Sequence, residues 1–232
     1  RVDRRTGLIS TVAGTGERGT SGDGGPASEA QLIEPNGVAL DGKGRLFIAD
    51  VAAHRVRVVD LGTGRIGPFA GDGRPRHAGD GGPARSASIH GARAVEVGPD
   101  GTVFILEREG NTLRAVAPDG TIRTVAGTGR RGYTGDGGPA REAAFDGPKE
   151  LAVDRAANLF LVDTENHAIR RIDAATGLIT TVAGDGQPGG TGDGGPATAA
   201  RLDRPHGVAV APDGALVIGD TGNHRLRRVA PR

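Results

Sequence analysis

The chain has 232 residues, of which 42 are glycine, 14 are proline and only six are aromatic. Its 29 Lys and Arg nearly balance its 28 Asp and Glu, so the net charge of +1 favours neither nucleic acid nor an anionic membrane as a partner. No run of eighteen apolar residues occurs, and the absence of cysteine excludes disulfides and thiolate metal sites but leaves the cell compartment open. Because the chain begins RVDRRTG, without Met or a signal-like segment, we expect it to derive from a longer or processed polypeptide.

The motif GDGGPA occurs four times, beginning at Gly22, Gly79, Gly135 and Gly192, with spacings of 57, 56 and 57 residues. A fixed period of this length indicates a repeat architecture. Glycine permits the positive φ of a tight turn and proline favours the first turn of a helix, so we expect a corner followed by a short helical turn. Each copy has one carboxylate and no following Lys, which is too little for a calcium loop or a P-loop. We therefore interpret the motif Asp residues as structural: Asp23, Asp80, Asp136 and Asp193.

Four short apolar segments separated by turns recur in every unit, a pattern typical of a β-propeller blade. In the order of the chain, the unit reads ISTVAG (9–14), NGVALD (36–41), RLFIAD (45–50) and HRVRVVD (54–60). The first of these returns as IGPFAG, IRTVAG and ITTVAG, and we assign it to the outer strand of the preceding blade.

The two ends of the chain are complementary in the repeat pattern. TGLISTVAG (6–14) nearly duplicates TGLITTVAG (176–184), whereas the last unit stops after its third strand, and residues 228–232 correspond to residues 1–5. We therefore predict an all-β, closed four-bladed ring of four-stranded antiparallel blades in which the N-terminal strand completes the last blade, a closure that removes exposed sheet edges. The whole chain, 1–232, is predicted as one domain with repeats at about 1–53, 54–110, 111–166 and 167–223 and a closing strand at 224–232. A monomer is expected, and a ring shared by two chains is the alternative.

The segments DTGNHRLRRV (220–229), DTENHAIRRI (163–172) and DVAAHRVRVV (50–59) resemble the signature of the NHL repeats. The resemblance covers the whole chain and implies a β-propeller, commonly of six blades, that mostly serves as a platform for proteins, RNA or other ligands and has some enzymatic relatives. This chain has four repeats rather than six. Its second unit departs from the signature and reads EREGNTLRAV.

The repeated acidic and His positions could serve as ligands of a metal. One copy per blade separates these groups around the ring, so we expect them instead to satisfy backbone groups at a strand turn. They are Asp50, Asp163 and Asp220, with Glu107 in unit 2, and His54, His167 and His224, with Asn111 in unit 2.

A repeated arginine position, Arg57, Arg114, Arg170 and Arg227, could form a basic track for a nucleic acid. Aromatic stacking partners are missing beside it, so we expect solvated arginines on outer strands and no nucleic-acid partner.

Positions at which the repeats disagree are better candidates for a ligand site, because a shared framework must be kept in every blade. The inner strand begins with Asn36, Arg93, Lys149 and His206, and units 2 and 3 add Glu96, Glu107 and Glu150 nearby. We predict that these seven residues lie near the mouth of a central channel, as a ligand site or as mutually compensating charges. Glu96 and Glu107 are also an acid/base candidate.

The function predicted from these patterns is a non-enzymatic binding or scaffold module that presents a propeller face or channel mouth to a protein, a peptide or a small ligand. No cofactor and no membrane are expected. The alternatives are a metal-assisted hydrolase or lyase that uses the channel carboxylates, with a metal on His206, Glu96 and Glu107, and a purely architectural, engineered or fragmentary propeller.

Overall fold

The computed structural model describes residues 1–231 and consists of β-sheets joined by turns. Three sheets have four antiparallel strands each, and the fourth has three. In chain order the first two sheets are β1 (Pro35–Leu40), β2 (Arg45–Asp50), β3 (Arg55–Asp60) and β4 (Arg65–Ala70), then β5 (Ala92–Val97), β6 (Val103–Glu107), β7 (Thr112–Val116) and β8 (Ile122–Ala126). The remaining two are β9 (Leu151–Val153), β10 (Leu159–Asp163), β11 (Ala168–Ile172) and β12 (Ile179–Ala183), then β13 (Gly207–Val210), β14 (Leu216–Asp220) and β15 (Arg225–Val229).

Each sheet is a blade, and the first strand of each lies innermost, so that β1, β5, β9 and β13 contact one another in sequence. Apolar side chains fill the three joints between successive blades, for example Phe47 and Ile105 between blades 1 and 2, and Leu113 and Leu161 between blades 2 and 3. The prediction of an all-β, four-bladed propeller is confirmed.

The GDGGPA motif forms the corner that leads from one blade to the next, and each copy is followed by a 3-10 turn. The motif begins with a glycine at φ between 93° and 97° in every copy, and a Cβ on Gly22 would lie 2.6 Å from the Cα of Ala30. Copies 1 to 3 also donate a backbone hydrogen bond to the outer strand of the following blade, as in Gly81 N to Ile122 O at 2.8 Å. Only glycine fits the first position of the motif, because the backbone there is left-handed and another backbone segment lies in contact with it. The 3-10 turns after the motif are Ala27–Glu29, Ala84–Ser86, Ala140–Glu142 and Ala197–Ala199, and two more lie at Thr164–Asn166 and Thr221–Asn223.

The structure differs from the sequence prediction at the two ends. Residues 9–14 do not pair with β15; instead Ile9 bridges to Val2 within an N-terminal hairpin, and Ser10 N donates to Arg1 O at 2.8 Å. Ala13 packs with the first motif copy onto blade 1, against Ile48 and Ile66. The reason is local: Val2, seven residues before Ile9, offers a partner without bringing blade 1 to blade 4. Arg232, which the predicted overlap of the termini includes, lies outside the described residues.

Blades 1 and 4 consequently expose apolar side chains to solvent, whereas the equivalent side chains of the other blades are buried at the three joints between blades. Leu226 of β15 is 77% exposed, whereas the residues at the same position in blades 1 to 3, Val56, Leu113 and Ile169, are fully buried. On β1, Val38 is 63% exposed, whereas Val95, Leu151 and Val208 are at most 9% exposed. A Cβ on Gly207 would meet nothing within 4 Å, whereas one on the equivalent Gly37 would lie 2.8 Å from Ala94 Cα.

Candidate functional site at the central channel

A central cavity of about 500 Å³ lies between the four inner strands. Each inner strand contributes to its wall, and most of the lining is small or apolar because Gly37, Ala209 and Gly207 stand at inner positions. Polar groups enter the cavity at three of the predicted site residues, Asn36, Glu96 and Glu150. The repeat framework therefore builds the cavity, and the differences between repeats supply its polar groups.

Glu96 and Glu150 form the acidic part of the cavity. Burial, together with the neighbouring charge of Glu150, raises the pKa of Glu96 to about 7. Burial also raises the pKa of Glu150, opposed by the backbone N–H of Leu151, which donates to Glu150 Oε1 at 3.0 Å, and by the charge of Arg93. Two half-buried carboxyls that repel each other favour a state in which one of them holds a proton near neutral pH.

Lys149 and His206 lie at the end of the channel where the inner strands begin. The Nζ of Lys149 lies 2.5 Å from Nε2 of His206, so the ammonium donates to a neutral imidazole. Lys149 is only 8% exposed, and its pKa is lowered by burial and by the charges of Arg108, Arg204 and Arg93, with Glu165 opposing. The pKa of His206 is lowered by burial first, then by Lys149, Arg204 and Arg93. We refer to these five residues, Arg93, Arg108, Lys149, Arg204 and His206, as the cationic cluster.

Two carboxylates at the edge of the cationic cluster neutralise part of its charge. Glu165 Oε1 accepts from Arg204 at 2.8 Å, and Glu109 Oε1 accepts from Arg108 at 3.2 Å. Lys149 has no carboxylate within ion-pairing distance among the described residues. The cationic cluster therefore contains one buried cation, Lys149, close to the guanidinium groups of three arginines.

Glu107 does not belong to this site, which corrects the sequence prediction. Its carboxylate is fully buried and is held by Arg114 at 2.9 Å, His77 Nδ1 at 2.9 Å and the Thr112 hydroxyl at 3.1 Å. The position in the blade explains the error, because Glu107 ends the second strand, β6, and its carboxylate meets Arg114 of the third strand, whereas Glu96 lies on the inner strand β5. The predicted acid/base pair of Glu96 and Glu107 is thus not formed; Glu150 is the carboxyl beside Glu96.

The repeated arginines are buried, so the expectation of solvated outer-strand residues is wrong. Arg57, Arg114 and Arg170 are at most 2% exposed. Each reaches the Asp of the GDGGPA motif, at 2.7 Å for Arg57 to Asp23 and Arg114 to Asp80, 2.8 Å for Arg170 to Asp136, and 2.7 Å for Arg227 to Asp193. Three of them also meet the acidic residue at the end of the second strand: Glu107, Asp163 and Asp220. The motif Asp is therefore the outer end of a buried ionic bridge.

The acidic and His positions of the repeat make backbone hydrogen bonds. Asp50 accepts from the N–H of Ile33 and of Glu34, both at 2.8 Å, and Asp163 and Asp220 accept from one backbone N–H each. His54 Nδ1 accepts from Gly91 N and His167 Nδ1 from Arg204 N, both at 3.1 Å, and Asn111 does the same to Gly147 N. The donors to His54, Asn111 and His167 belong to the next blade, so these three side chains link neighbouring blades. His54, Asn111, His167 and His224 all adopt a left-handed backbone, with φ between 48° and 55°.

Of the seven predicted site residues, three line the cavity, and Lys149 and His206 meet beside Arg93. Two members of the cationic cluster, Arg108 and Arg204, were missed. Arg108 follows the strand end in unit 2 where the other units carry Val51, Thr164 and Thr221, so comparing the loops as well as the inner strands would have found it.

Two searches of the described residues gave negative results. Residues 1–231 contain no group of three or more His, Cys, Asp or Glu side chains placed to hold a metal ion. None of their helical segments is long and apolar enough to cross a membrane.

Four radial antiparallel blades around a lined cavity define a β-propeller. A family model described as the NHL repeat matches residues 32–59 and 202–228, the first and last copies of the strand pair that carries the Asp and His positions. These two segments of the chain are therefore similar to the NHL repeat.

Relatives of known name match nearly the whole chain. NHL repeat-containing protein 2 of Bos taurus is 27% identical over 98% of this chain and 35% of its own length. Protein SUPPRESSOR OF QUENCHING 1, chloroplastic, of Arabidopsis thaliana is 26% identical over 95% of this chain and 22% of its own length. The chain thus spans about a third or less of these relatives.

Solved structures share the fold at low identity. An auxiliary nutrient binding protein from Bacteroides thetaiotaomicron aligns with a TM-score of 0.65 at 20% identity, over 86% of this chain and 48% of that one. A gluconolactonase from Xanthomonas campestris aligns with a TM-score of 0.62 at 16% identity, over 87% of this chain and 60% of that one.

Proposed function

We propose that this propeller is a non-enzymatic binding module that holds an anionic group of its ligand in the cationic cluster at the channel mouth. The observation that carries the proposal is Lys149, which is buried, has His206 as the one hydrogen-bond partner of its Nζ among residues 1–231, and has its pKa lowered by the charges of Arg93, Arg108 and Arg204. A buried cation without a carboxylate is unfavourable unless a partner supplies the missing charge.

An anion is the ligand chemistry that fits this arrangement. A carboxylate or phosphate oxygen near Lys149 would accept charge-assisted hydrogen bonds from the ammonium and from a guanidinium, the strongest polar contacts that side chains offer. The acidic pair of Glu96 and Glu150 lines the central cavity and would repel the same anion from the deeper channel. Binding therefore stops at the mouth, where a peptide carboxylate and a small free anion are equally accessible.

The proposal is tested by titrating the protein with inorganic phosphate, citrate and a Glu-rich peptide, with calorimetry as the readout. Lys149→Gln should weaken binding of the preferred anion at least ~10-fold. The chain's other lysine, Lys43, lies in an exposed turn, and Lys43→Gln is the matched control with unchanged affinity. Preference for citrate or phosphate indicates a small ligand, preference for the peptide indicates a protein partner, and equal binding by wild type and Lys149→Gln contradicts the site.

The pH dependence gives a second readout of the same site. An anion favours the protonated forms of Lys149 and His206, whose pKa values are lowered in the free protein, so binding takes up protons. We expect affinity to rise as the pH falls from 8 to 6. An affinity that is constant over this range would place the anion elsewhere.

Hydrolysis is a second candidate function, supported by the pKa of about 7 at Glu96, a value suited to proton transfer near neutral pH. The fold is shared with a gluconolactonase, which makes sugar lactones a reasonable first substrate class. Turnover of a lactone by the wild type that is lost in Glu96→Gln would favour this candidate. Binding of an anion without turnover would favour the binding module.

A further inference from the structure

Lys149 and His206 occupy the same repeat position on blades 3 and 4, and their side chains meet between these blades. Each residue stands just before the inner strand of its blade, β9 or β13, and the Nζ of Lys149 lies 2.5 Å from the Nε2 of His206. Lys149 N donates to Val162 O at 3.1 Å and His206 N donates to Gly219 O at 3.0 Å, so each backbone is tied to the second strand of its own blade. Two strand ends therefore hold a primary amine against an imidazole nitrogen.

The surroundings of Lys149 favour the neutral form of its amine. The residue is only 8% exposed, and burial together with the charges of Arg108, Arg204 and Arg93 lowers its pKa. Glu165 opposes this shift, but its carboxylate already accepts a hydrogen bond from Arg204 at 2.8 Å. A lysine that is desolvated and lies close to other cations is activated as a nucleophile towards carbonyl groups.

The arginines of the cationic cluster have donors to spare. The Nε of Arg108 is buried and has no hydrogen-bond partner among residues 1–231. In the same part of the chain, no carboxylate lies within ion-pairing distance of Arg93. A buried N–H without a partner is unfavourable, and the planar guanidinium group fits a carboxylate. The cluster therefore offers donors for a carboxylate close to a nucleophilic amine.

We propose that Lys149 captures a small 2-oxo acid reversibly, as an imine between Nζ and the carbonyl carbon, while the arginines of the cationic cluster hold the acid's carboxylate. This inference rests on the proposed function, because the carboxylate must first bind at the channel mouth. In a 2-oxo acid the carbonyl carbon is bonded directly to the carboxylate carbon. A carboxylate held by the guanidinium groups therefore brings the carbonyl carbon close to Nζ.

His206 is placed to move the protons of this reaction. Nζ of Lys149 passes a proton to Nε2, its lone pair adds to the carbonyl carbon, and the carbonyl oxygen takes the proton from Nε2. A second proton then passes from the nitrogen through Nε2 to the hydroxyl group, which leaves as water while the C=N bond forms. The product is a protonated imine that keeps the single positive charge of the ammonium. His206 ends neutral, nothing is oxidised or reduced, and hydrolysis by the same path releases the acid.

Reductive trapping tests the proposal, because the chain has only two lysines, which can be compared in one sample. The protein is incubated with pyruvate and cyanoborohydride, which reduces an imine to a stable secondary amine, and peptide mass mapping measures the adduct at each lysine. We expect Lys149 to be modified at least ~10-fold faster than Lys43, which lies in an exposed turn. Acetone has the carbonyl group without the carboxylate and should not show this preference.

A variant of His206 tests the proton transfer separately. His206→Gln keeps a polar side chain but removes the group that accepts and returns a proton. At saturating pyruvate, it should slow adduct formation at Lys149 by about 10-fold or more, since this is the lower range of general acid–base effects. Modification of Lys43 in the same sample should keep its wild-type rate. Equal rates at Lys149 in the variant and the wild type would show that His206 does not relay the proton.

The outcomes distinguish this inference from the proposed function. Calorimetry with propionate, a carboxylate without a carbonyl group, measures binding alone. If propionate and pyruvate bind but Lys149 is modified no faster than Lys43, the anion site stands and the imine is wrong. If acetone modifies Lys149 as fast as pyruvate does, the lysine is a nucleophile but 2-oxo acids are not its ligand class. If neither acid binds and Lys149 is not modified, both proposals fail.

Discussion

At the residue scale, Arg170 joins two carboxylates that are far apart in the chain. Its guanidinium lies 3.2 Å from Asp163 and 2.8 Å from Asp136, and both Arg170 and Asp163 are fully buried. Because the second strand and the loop from the preceding blade are both held through this one side chain, the bridge fixes the motif loop on its blade. The sequence showed the arginine and both acids as repeated positions, but not that they meet.

We predict that Arg170→Met destabilises the protein by about 3–5 kcal/mol, because it leaves Asp163 buried without its partner. The neighbouring Arg171 pairs with Asp173 at 2.8 Å near the surface, with both side chains about 30% exposed, and Arg171→Met should cost less than about 1 kcal/mol. Urea unfolding of both variants measures the difference. Equal losses would show that the buried bridge contributes no more than a surface ion pair.

Glu96 makes the stability depend on pH. Its pKa is raised from 4.5 to about 7 on folding, so between these values the folded state binds a proton that the unfolded state has lost, and stability falls as the pH rises through this window. Glu96→Gln removes the effect. We expect the variant to exceed the wild type by about 1 kcal/mol at pH 8, a figure reduced for access of water to the channel, and to equal it at pH 4.

Urea unfolding at pH 4 and pH 8 tests this prediction. Glu142→Gln, at an exposed position in a 3-10 turn, should show no such dependence. A Glu96→Gln variant that matches the wild type at both pH values would mean that the carboxyl is solvated in the folded protein.

At the scale of the element, the inner strands approach each other most closely where glycine allows it. A Cβ on Gly37 of β1 would lie 2.8 Å from Ala94 Cα and 2.9 Å from Arg93 O, both backbone atoms of β5. The other units carry Ala94, Glu150 and Gly207 at this position, so the three joints between blades are not equivalent. The glycine therefore sets the separation of blades 1 and 2.

We predict that Gly37→Ala destabilises the protein by about 1–3 kcal/mol, because the backbone of β5 must move to admit the methyl group. Gly67→Ala is the matched control within blade 1, since a Cβ there meets nothing within 4 Å and the backbone is extended. Thermal unfolding should separate the two variants by several degrees. A neutral Gly37→Ala would show that β1 and β5 can part without loss.

At the scale of the whole molecule, the free face of blade 4 differs from the faces that are buried between blades. Leu226→Asp should leave the blades folded, because the side chain is 77% exposed. Ile169→Asp, at the equivalent and fully buried position of blade 3, should unfold the chain. Light scattering and circular dichroism of both variants test this pair, and a Leu226→Asp variant that unfolds like Ile169→Asp would mean that this face is covered within the chain.

Much of the fold was predictable from sequence because the repeat shows each signal four times. The strands, the turns and the 3-10 segment after GDGGPA follow from apolar spacing and from residues suited to turns. Closure could not be predicted in the same way, because repeat register shows that segment 6–14 fits beside β15 but not whether blades 1 and 4 come together. The site was predicted in part, because differences between repeats identified Lys149, His206 and Glu96. Strand alignment cannot show that the Glu107 carboxylate binds Arg114, or that Arg108 and Arg204 lie near Lys149.

The bonds between GDGGPA and the following outer strand also bear on the order of folding during synthesis. The first motif copy, at residues 22–27, forms backbone hydrogen bonds with Gly64 and Ile66, and the second and third copies likewise bond to residues about forty positions further along the chain. During synthesis, each of these three corners is therefore made before the outer strand that holds it. Because a corner is fixed only when that strand has been added, we expect the blades to fold in order from the N-terminus.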